Sequence, residues 1–160
     1  MEPSKADVNI ATEATTGPRS FHYASGLRWT GEMKGTLAAL DRPHLEVAAP
    51  PEFRGHPGYW TPEDLLVASV NACTMMTFLV LARRNGLKIL SYESEATGRL
   101  ETEGGEFRFT RIVVRPRLEI AAESDRAKTL ELLQKAEDHC LVANSLVCMI
   151  EGAPEVRVRT

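Results

Sequence analysis

The first twenty residues contain no apolar stretch. They are polar, carry Glu2, Asp7 and Glu13, and lack the hydrophobic segment of a secretory signal; a cytoplasmic protein is expected. No block of lysine and arginine occurs, and the formal net charge is -3. That balance provides no electrostatic footprint for nucleic acid or an acidic membrane surface. No C-x-x-C pair occurs among the three cysteines, Cys73, Cys140 and Cys148, so neither a zinc knuckle nor a thioredoxin-type motif is supported. An odd cysteine count in a reducing compartment also argues against a disulfide framework. Internal repeats are absent. Residues 1–18, with Pro3, Gly17 and Pro18 in a stretch without periodicity, read as a flexible arm.

What is present is the composition of an ordinary globular chain. Its 160 residues are 43% hydrophobic and 26% charged, enough for one domain with a core over residues 19–160. The longest apolar run, Leu65 to Ala82, approaches the length of a membrane span. Ser69, Asn71, Thr74 and Thr77 interrupt it, and Asp64 and Arg83 flank it closely, so a buried core helix is the better reading. Because apolar residues surround this helix, one sheet cannot cover it, and a homodimer is expected.

Strands are expected over Phe21–Trp29, Met33–Leu40 and His44–Ala48, with Thr30-Gly31 as a turn. A loop crowded with Pro50, Pro51, Gly55, Pro57 and Gly58 follows. Thr61-Pro62-Glu63-Asp64 opens a helix that runs to about Asn85 and stops at Gly86. Tyr59 and Trp60, just before it, read as a staple to the core. Ser91–Glu101 and Phe107–Ile120 flank Glu103-Gly104-Gly105 as a hairpin, and Pro116 suggests an edge or a bulge in its second arm. Ser124 caps a second helix reaching about His139, with Leu130, Leu133, Ala136 and Cys140 as its apolar stripe. Glu155–Arg159 is a last strand. The fold class is therefore α+β, in the order β-β-β-α-β-β-α-β, with two core helices.

Cys73 lies inside the first helix and Cys140 after the second. A lone cysteine on an apolar helix is usually a small hydrophobe; two of them, one for each main helix, weaken that reading. Cys148 reads as a buried structural thiol. A metal site built from His139, Cys140 and Cys73 lacks a local ligand pair, and no metal or cofactor is expected.

Thr61-Pro62-Glu63-Asp64-Leu65-Leu66, then Ala68, then Asn71-Ala72-Cys73-Thr74 resembles the signature of the OsmC/Ohr family of osmotically inducible and organic hydroperoxide resistance proteins. Its mark is a Pro-Glu pair, an apolar run, and a cysteine ten residues after the glutamate, the spacing of Glu63 and Cys73. His139-Cys140-Leu141-Val142-Ala143-Asn144-Ser145-Leu146 is similar to the family's second element, and the resemblance covers about residues 20–159. It implies an OsmC-like fold in an intertwined homodimer and a thiol peroxidase acting on organic hydroperoxides. Cys73 would become a sulfenic acid that Cys140 resolves as a disulfide, and a lipoyl or thioredoxin-like dithiol would reopen it. The alternative is an OsmC-like stress protein that binds a small apolar ligand without efficient peroxidase activity.

A buried thiol needs activating, since burial raises its pKa. In an unbroken helix from Thr61, Cys73 lies beyond the reach of the helix dipole, and Glu63 is about 15 Å away along the axis at a rise of 1.5 Å per residue. Two remedies suggest themselves: a helix break near Ser69 to Asn71, or an arginine bridging acid and thiolate. In the organic-hydroperoxide branch that arginine follows a Gly-Gly pair in the early strands. Here Trp29-Thr30-Gly31-Glu32-Met33-Lys34-Gly35 places Glu32 and Met33 at that point. Arg54, in the loop leading to Glu63, is the expected replacement, with Arg28 the alternate.

Overall fold

The computed structural model describes residues 19–159, so the arm expected at residues 1–18 lies outside the described residues. The chain divides into two compact units, one ending at Pro62 and one beginning at Glu63. The first is a three-stranded antiparallel sheet of β1 (Gly26–Gly31), β2 (Lys34–Ala38) and β3 (Leu45–Ala48), in that order. Its first strand is shorter than expected. Gly26 pairs with Ala38, the last residue of β2, so residues 21–25 meet no partner strand. The tight turn is Glu32-Met33 rather than Thr30-Gly31, with Gly31 and Glu32 both at positive φ. The proline-glycine segment folds into a short 3-10 turn, Pro51–Phe53. Trp60 then joins β3 through a bridge to Val47, and its carbonyl accepts the Ala48 amide at 3.0 Å. Tyr59 and Trp60 are both exposed; what ties the segment down is backbone rather than the expected aromatic staple.

The second unit places two helices, α1 (Pro62–Arg84) and α2 (Arg126–Asp138), with a four-stranded sheet. Its strands are β4 (Ile89–Glu103), β5 (Glu106–Ile120), β6 (Met149–Gly152) and β7 (Glu155–Val158). The α+β class and two-helix plan are as the sequence predicts; β6 is an additional strand. Gly86 stops α1 as expected. At φ 67 it lets Leu87 donate to the Ala82 carbonyl at 2.9 Å while its own amide reaches Arg83 at 3.2 Å, the bond pair of a Schellman close. Gly104 and Gly105, both at positive φ, supply the two-residue turn that long antiparallel β4 and β5 require.

Pro116 departs from expectation. It lies in β5, the central strand, opposite Ser94 on β4. On the other side β5 pairs with β6 through Arg111–Val114 and with β7 through Arg117–Ile120. Pro116 therefore falls at the seam between two successive parallel partners, where the ladder is already interrupted and a missing N–H costs least.

The second helix is also shifted. A 3-10 turn, Glu123–Asp125, precedes α2, and neither Ser124 nor Asp125 makes a side-chain cap bond to it. Its buried stripe is Thr129, Leu132, Leu133 and Ala136, with Leu130 left at the surface.

The core forms between sheet and helices. Phe78 and Ala82 of α1 meet Leu132, Leu133 and Ala136 of α2 over Leu118, Ile120 and Val156. Nearer the start of α1, Val70 lies with Ile112 and Val114, and half-buried Val142, Leu146 and Cys148 pack around them. By length and composition alone α1 could cross a membrane, yet its Val70-Thr74-Phe78-Ala82 stripe is buried within this unit. The stripe recurs every fourth residue, as a helix seated on one surface requires. Gly98 on β4 lets it sit closely: a Cβ there would lie 2.6 Å from both Val67 of α1 and Phe109 of β5. Gly98→Val should therefore destabilise the protein by about 1–3 kcal/mol through overpacking, read as a lower urea midpoint at unchanged slope.

Candidate active site

The helix break anticipated near Ser69 to Asn71 does not occur; α1 is continuous from Pro62 to Arg84. The polar residues that suggested it are otherwise engaged. Ser69 Oγ donates back to the Leu66 carbonyl at 2.7 Å, and Asn71 Oδ1 accepts from Ser94 Oγ at 2.7 Å, so neither caps a new segment. Cys73 thus sits mid-helix, half-buried, and cannot draw on the dipole of its own helix.

Among the groups that lower its thiol are amides of the loop after α2. Cys140, fully buried, follows the helix directly. A short 3-10 turn, Ala143–Ser145, comes next. The Asn144 amide donates to the Cys140 carbonyl at 2.9 Å, and Ser145 Oγ donates to the Leu141 carbonyl at 2.9 Å. Asn144 Nδ2 reaches back to the Asp138 carbonyl at 3.1 Å. These bonds hold the loop in a curl in which the leading amides have no partner within the turn. Burial alone would raise the Cys73 thiol. Against it act hydrogen bonds from the Val142 amide, the Cys140 thiol, the Leu141 amide and the Thr77 hydroxyl, and together they leave Cys73 below the usual cysteine range. All of these donors belong to the second unit itself.

Cys140 is shifted the opposite way. Burial pushes its thiol up, and neither the Ala143 amide nor the Thr74 hydroxyl offsets the burial and the adjoining Cys73 sulfur. The two cysteines are free, and each is among the groups that shift the other, Cys73 being lowered and Cys140 raised. Such a pair can perform nucleophilic attack on sulfur or oxygen electrophiles and can close to a disulfide.

Glu63 is the second residue of α1, and its Oε2 is buried without a hydrogen-bond partner among the described residues. Arg28, exposed, lies on β1 opposite Thr36. Arg54, also exposed, closes the 3-10 turn at φ 61. Both arginines belong to the first unit, whereas Glu63, Cys73 and Cys140 belong to the second. Glu32, which with Met33 stands at the point where the resemblance places an arginine, is bonded to Lys34 at 3.1 Å and His56 at 3.0 Å. His139 turns its Nδ1 onto the Lys135 carbonyl at 2.8 Å. Among the described residues no group of three or more His, Cys, Asp or Glu is arranged to hold a metal. Cys148 stays in the apolar cluster beside Val142. The loop amides and the hydroxyls of Thr74 and Thr77 carry no signal that pattern reading could have found, since every non-proline residue has an N–H.

The model of the OsmC-like protein family matches residues 55–152. The chain belongs to the OsmC-like family. A relative in Bacillus subtilis (strain 168), the uncharacterized protein YmaD, is 24% identical over 144 residues, covering 86% of this chain and 95% of its own. An OsmC-like protein of unknown function from Vibrio cholerae superposes with a TM-score of 0.78 at 19% identity, over 85% of this chain and 100% of its own. An organic hydroperoxide resistance protein OsmC from Legionella pneumophila superposes at 0.68 and 18% identity, over 87% and 98%. At these identities the two structures establish the OsmC-like fold.

The amide arrangement has a direct test in the pH dependence of alkylation, which follows the thiolate. Reactivity of Cys73 should be full above its pKa and fall as pH drops through it, with a midpoint below the roughly 8.5 of a free thiol; that of Cys140 should lie above it. Val142, at φ -68, can become proline without changing φ. Val142→Pro removes one donor and should raise the Cys73 midpoint by about one unit. An unchanged midpoint would assign the activation to other groups.

Proposed function

We propose that this OsmC-like chain is a cysteine-based peroxidase that reduces organic hydroperoxides. What supports the reading is a pair of neighbouring free thiols that interact with one another, Cys73 shifted down and Cys140 shifted up. The Cys73 thiolate attacks the terminal peroxide oxygen, forming an S–O bond as the O–O bond breaks. The departing alkoxide takes the proton of the Cys140 thiol and leaves as the alcohol. Cys73 is then a sulfenic acid and Cys140 a thiolate. Attack of Cys140 on the Cys73 sulfur forms the disulfide and expels hydroxide. A dithiol, lipoyl or thioredoxin-like, supplies the electrons that reopen it. The cytoplasm, with its reducing pool, is the compartment this cycle suits.

We infer a homodimer from α1. Its Met76, Leu79 and Val80 are 58%, 38% and 40% exposed in the single chain, and full burial of such side chains is worth about 1.5–3 kcal/mol each. Sedimentation at low micromolar concentration should give a dimer of the 17.7 kDa chain; a folded monomer would contradict it.

A second reading, binding of a small apolar ligand without turnover, is favoured by the absence of an arginine from the early-strand turn, where Glu32 and Met33 stand. The assay that separates the two is consumption of tert-butyl hydroperoxide with dithiothreitol. Wild type should turn over, and Cys73→Ser should consume none. Cys140→Ser keeps an O–H that can protonate the alkoxide, so it should complete one turnover and accumulate oxidised Cys73, and peptide mapping of peroxide-treated wild type should show a Cys73–Cys140 bridge. Loss of the first turnover in both variants, or a bridge to Cys148, contradicts this division of labour.

A further inference from the structure

Glu137, in the last turn of α2, is a half-buried carboxylate with no role in the cycle above. Its side chain lies flat against Gly152, the last residue of β6. A Cβ on Gly152 would stand 1.5 Å from Glu137 Oε1 and 2.3 Å from Cδ, so only glycine fits while the carboxylate is in place. The Gly152 amide lies close enough to offset part of that carboxylate's burial. At its backbone end the same residue accepts the Cys140 amide with its carbonyl, at 3.2 Å. Gly152 is in turn fixed to the central strand: it pairs with Val114, whose carbonyl accepts the Ala153 amide at 2.8 Å. One residue therefore joins the sheet, through its side chain, to the first amide of the thiol loop, through its main chain.

We propose that Glu137 is a positioning residue, a latch between β6 and the end of α2 that sets where the Leu141 and Val142 amides stand against Cys73. The proposal rests on Cys73 being the reactive thiol but not on the identity of its substrate. The groups facing the carboxyl are the Gly152 amide of β6, the phenol of Tyr92 on β4, and Asp138 beside it on α2. No basic side chain is among them. Burial, partly offset by the Gly152 amide and reinforced by Asp138, holds the Glu137 carboxyl above the usual carboxylate range. Tyr92 Oη is buried there without a well-formed hydrogen bond. A carboxylate kept in so unfavourable a place, when an apolar residue would fill the space, is consistent with a geometric task.

The sign of the effect separates a latch from a charge. As a bare negative charge near the thiols, Glu137 would disfavour the Cys73 thiolate, so removing it would make Cys73 more acidic. As a latch, its removal frees the loop, and Cys73 becomes less acidic. The measurement is the pH dependence of Cys73 alkylation by iodoacetamide in the full chain, followed by mass spectrometry, with the thermal midpoint recorded alongside. Glu137→Ala should raise the Cys73 pKa by about one unit, slowing alkylation at neutral pH about tenfold. Glu137→Gln keeps an oxygen that can accept the Gly152 amide and should stay within about twofold of wild type. Gly152→Ala should reproduce the Glu137→Ala shift, and the double variant should shift no further than either single one. Glu137→Asp, too short to reach Gly152, carries the same expectation should the alanine variant fail to fold. An unchanged Cys73 pKa in folded Glu137→Ala or Glu137→Asp overturns the proposal, as does increased acidity in both Ala and Gln variants. Wild type that fails to consume tert-butyl hydroperoxide while this pattern holds would remove the peroxidase reading and leave the latch intact.

Discussion

The contact on which the site depends is that of a mid-helix sulfur with the backbone of a distant loop. An apolar helix is a poor place for an anion, because desolvation disfavours the charged form. The remedy is not a charge of opposite sign within that unit but amides from Leu141 and Val142, supported by the Cys140 thiol and Thr77. Backbone donors suit the place. They are already dipolar, add no net charge to a buried region, and are fixed in direction once the loop is held. The rest of the second unit serves that hold. Asn144 and Ser145 curl the loop, Val142 and Leu146 anchor it in the apolar cluster over Val70, and Gly98 lets α1 settle close to the sheet.

The same arrangement explains why two chemically identical side chains behave differently. Both cysteines are shielded from solvent, but two amides face Cys73 and one faces Cys140. The surrounding donors lower the Cys73 thiol, while burial keeps the Cys140 thiol raised. The difference in acidity follows from what surrounds each sulfur rather than from residue type.

Features governed by neighbours in the chain were legible beforehand. The Thr61-Pro62-Glu63-Asp64 opening, the Gly86 stop and the Gly104-Gly105 turn each depend on a few consecutive residues, and each lies where the pattern predicted. The pairing of Cys73 with Cys140 came from the motif resemblance, as periodicity alone leaves both cysteines as core residues. Other features depend on partners far along the chain. Pro116 reads as an edge residue until β6 and β7 are seen to meet end to end beside it. Leu130 fits an apolar stripe by spacing, but the sheet selects Leu132 instead. Ser69 and Asn71 look like caps yet satisfy themselves within the helix and across to Ser94. Hydrogen-bond donors on the main chain leave no trace in residue identity, so the loop amides beside Cys73 could not be read from the sequence.

The placement of β6 has a consequence for how the molecule comes into being. Helix α1, the β4–β5 hairpin and α2 are each closed by local contacts, but β6 must join a strand that precedes it by a whole helix and a loop, the kind of pairing that pays its loop-closure entropy before any reward and so forms slowly. The loop that confers acidity on Cys73 hangs between α2 and that strand. During synthesis Cys73 is therefore present long before the amides that sharpen it, and it passes through the early, exposed stages of folding as an ordinary, sluggish thiol. Reactivity arrives together with the burial that protects it.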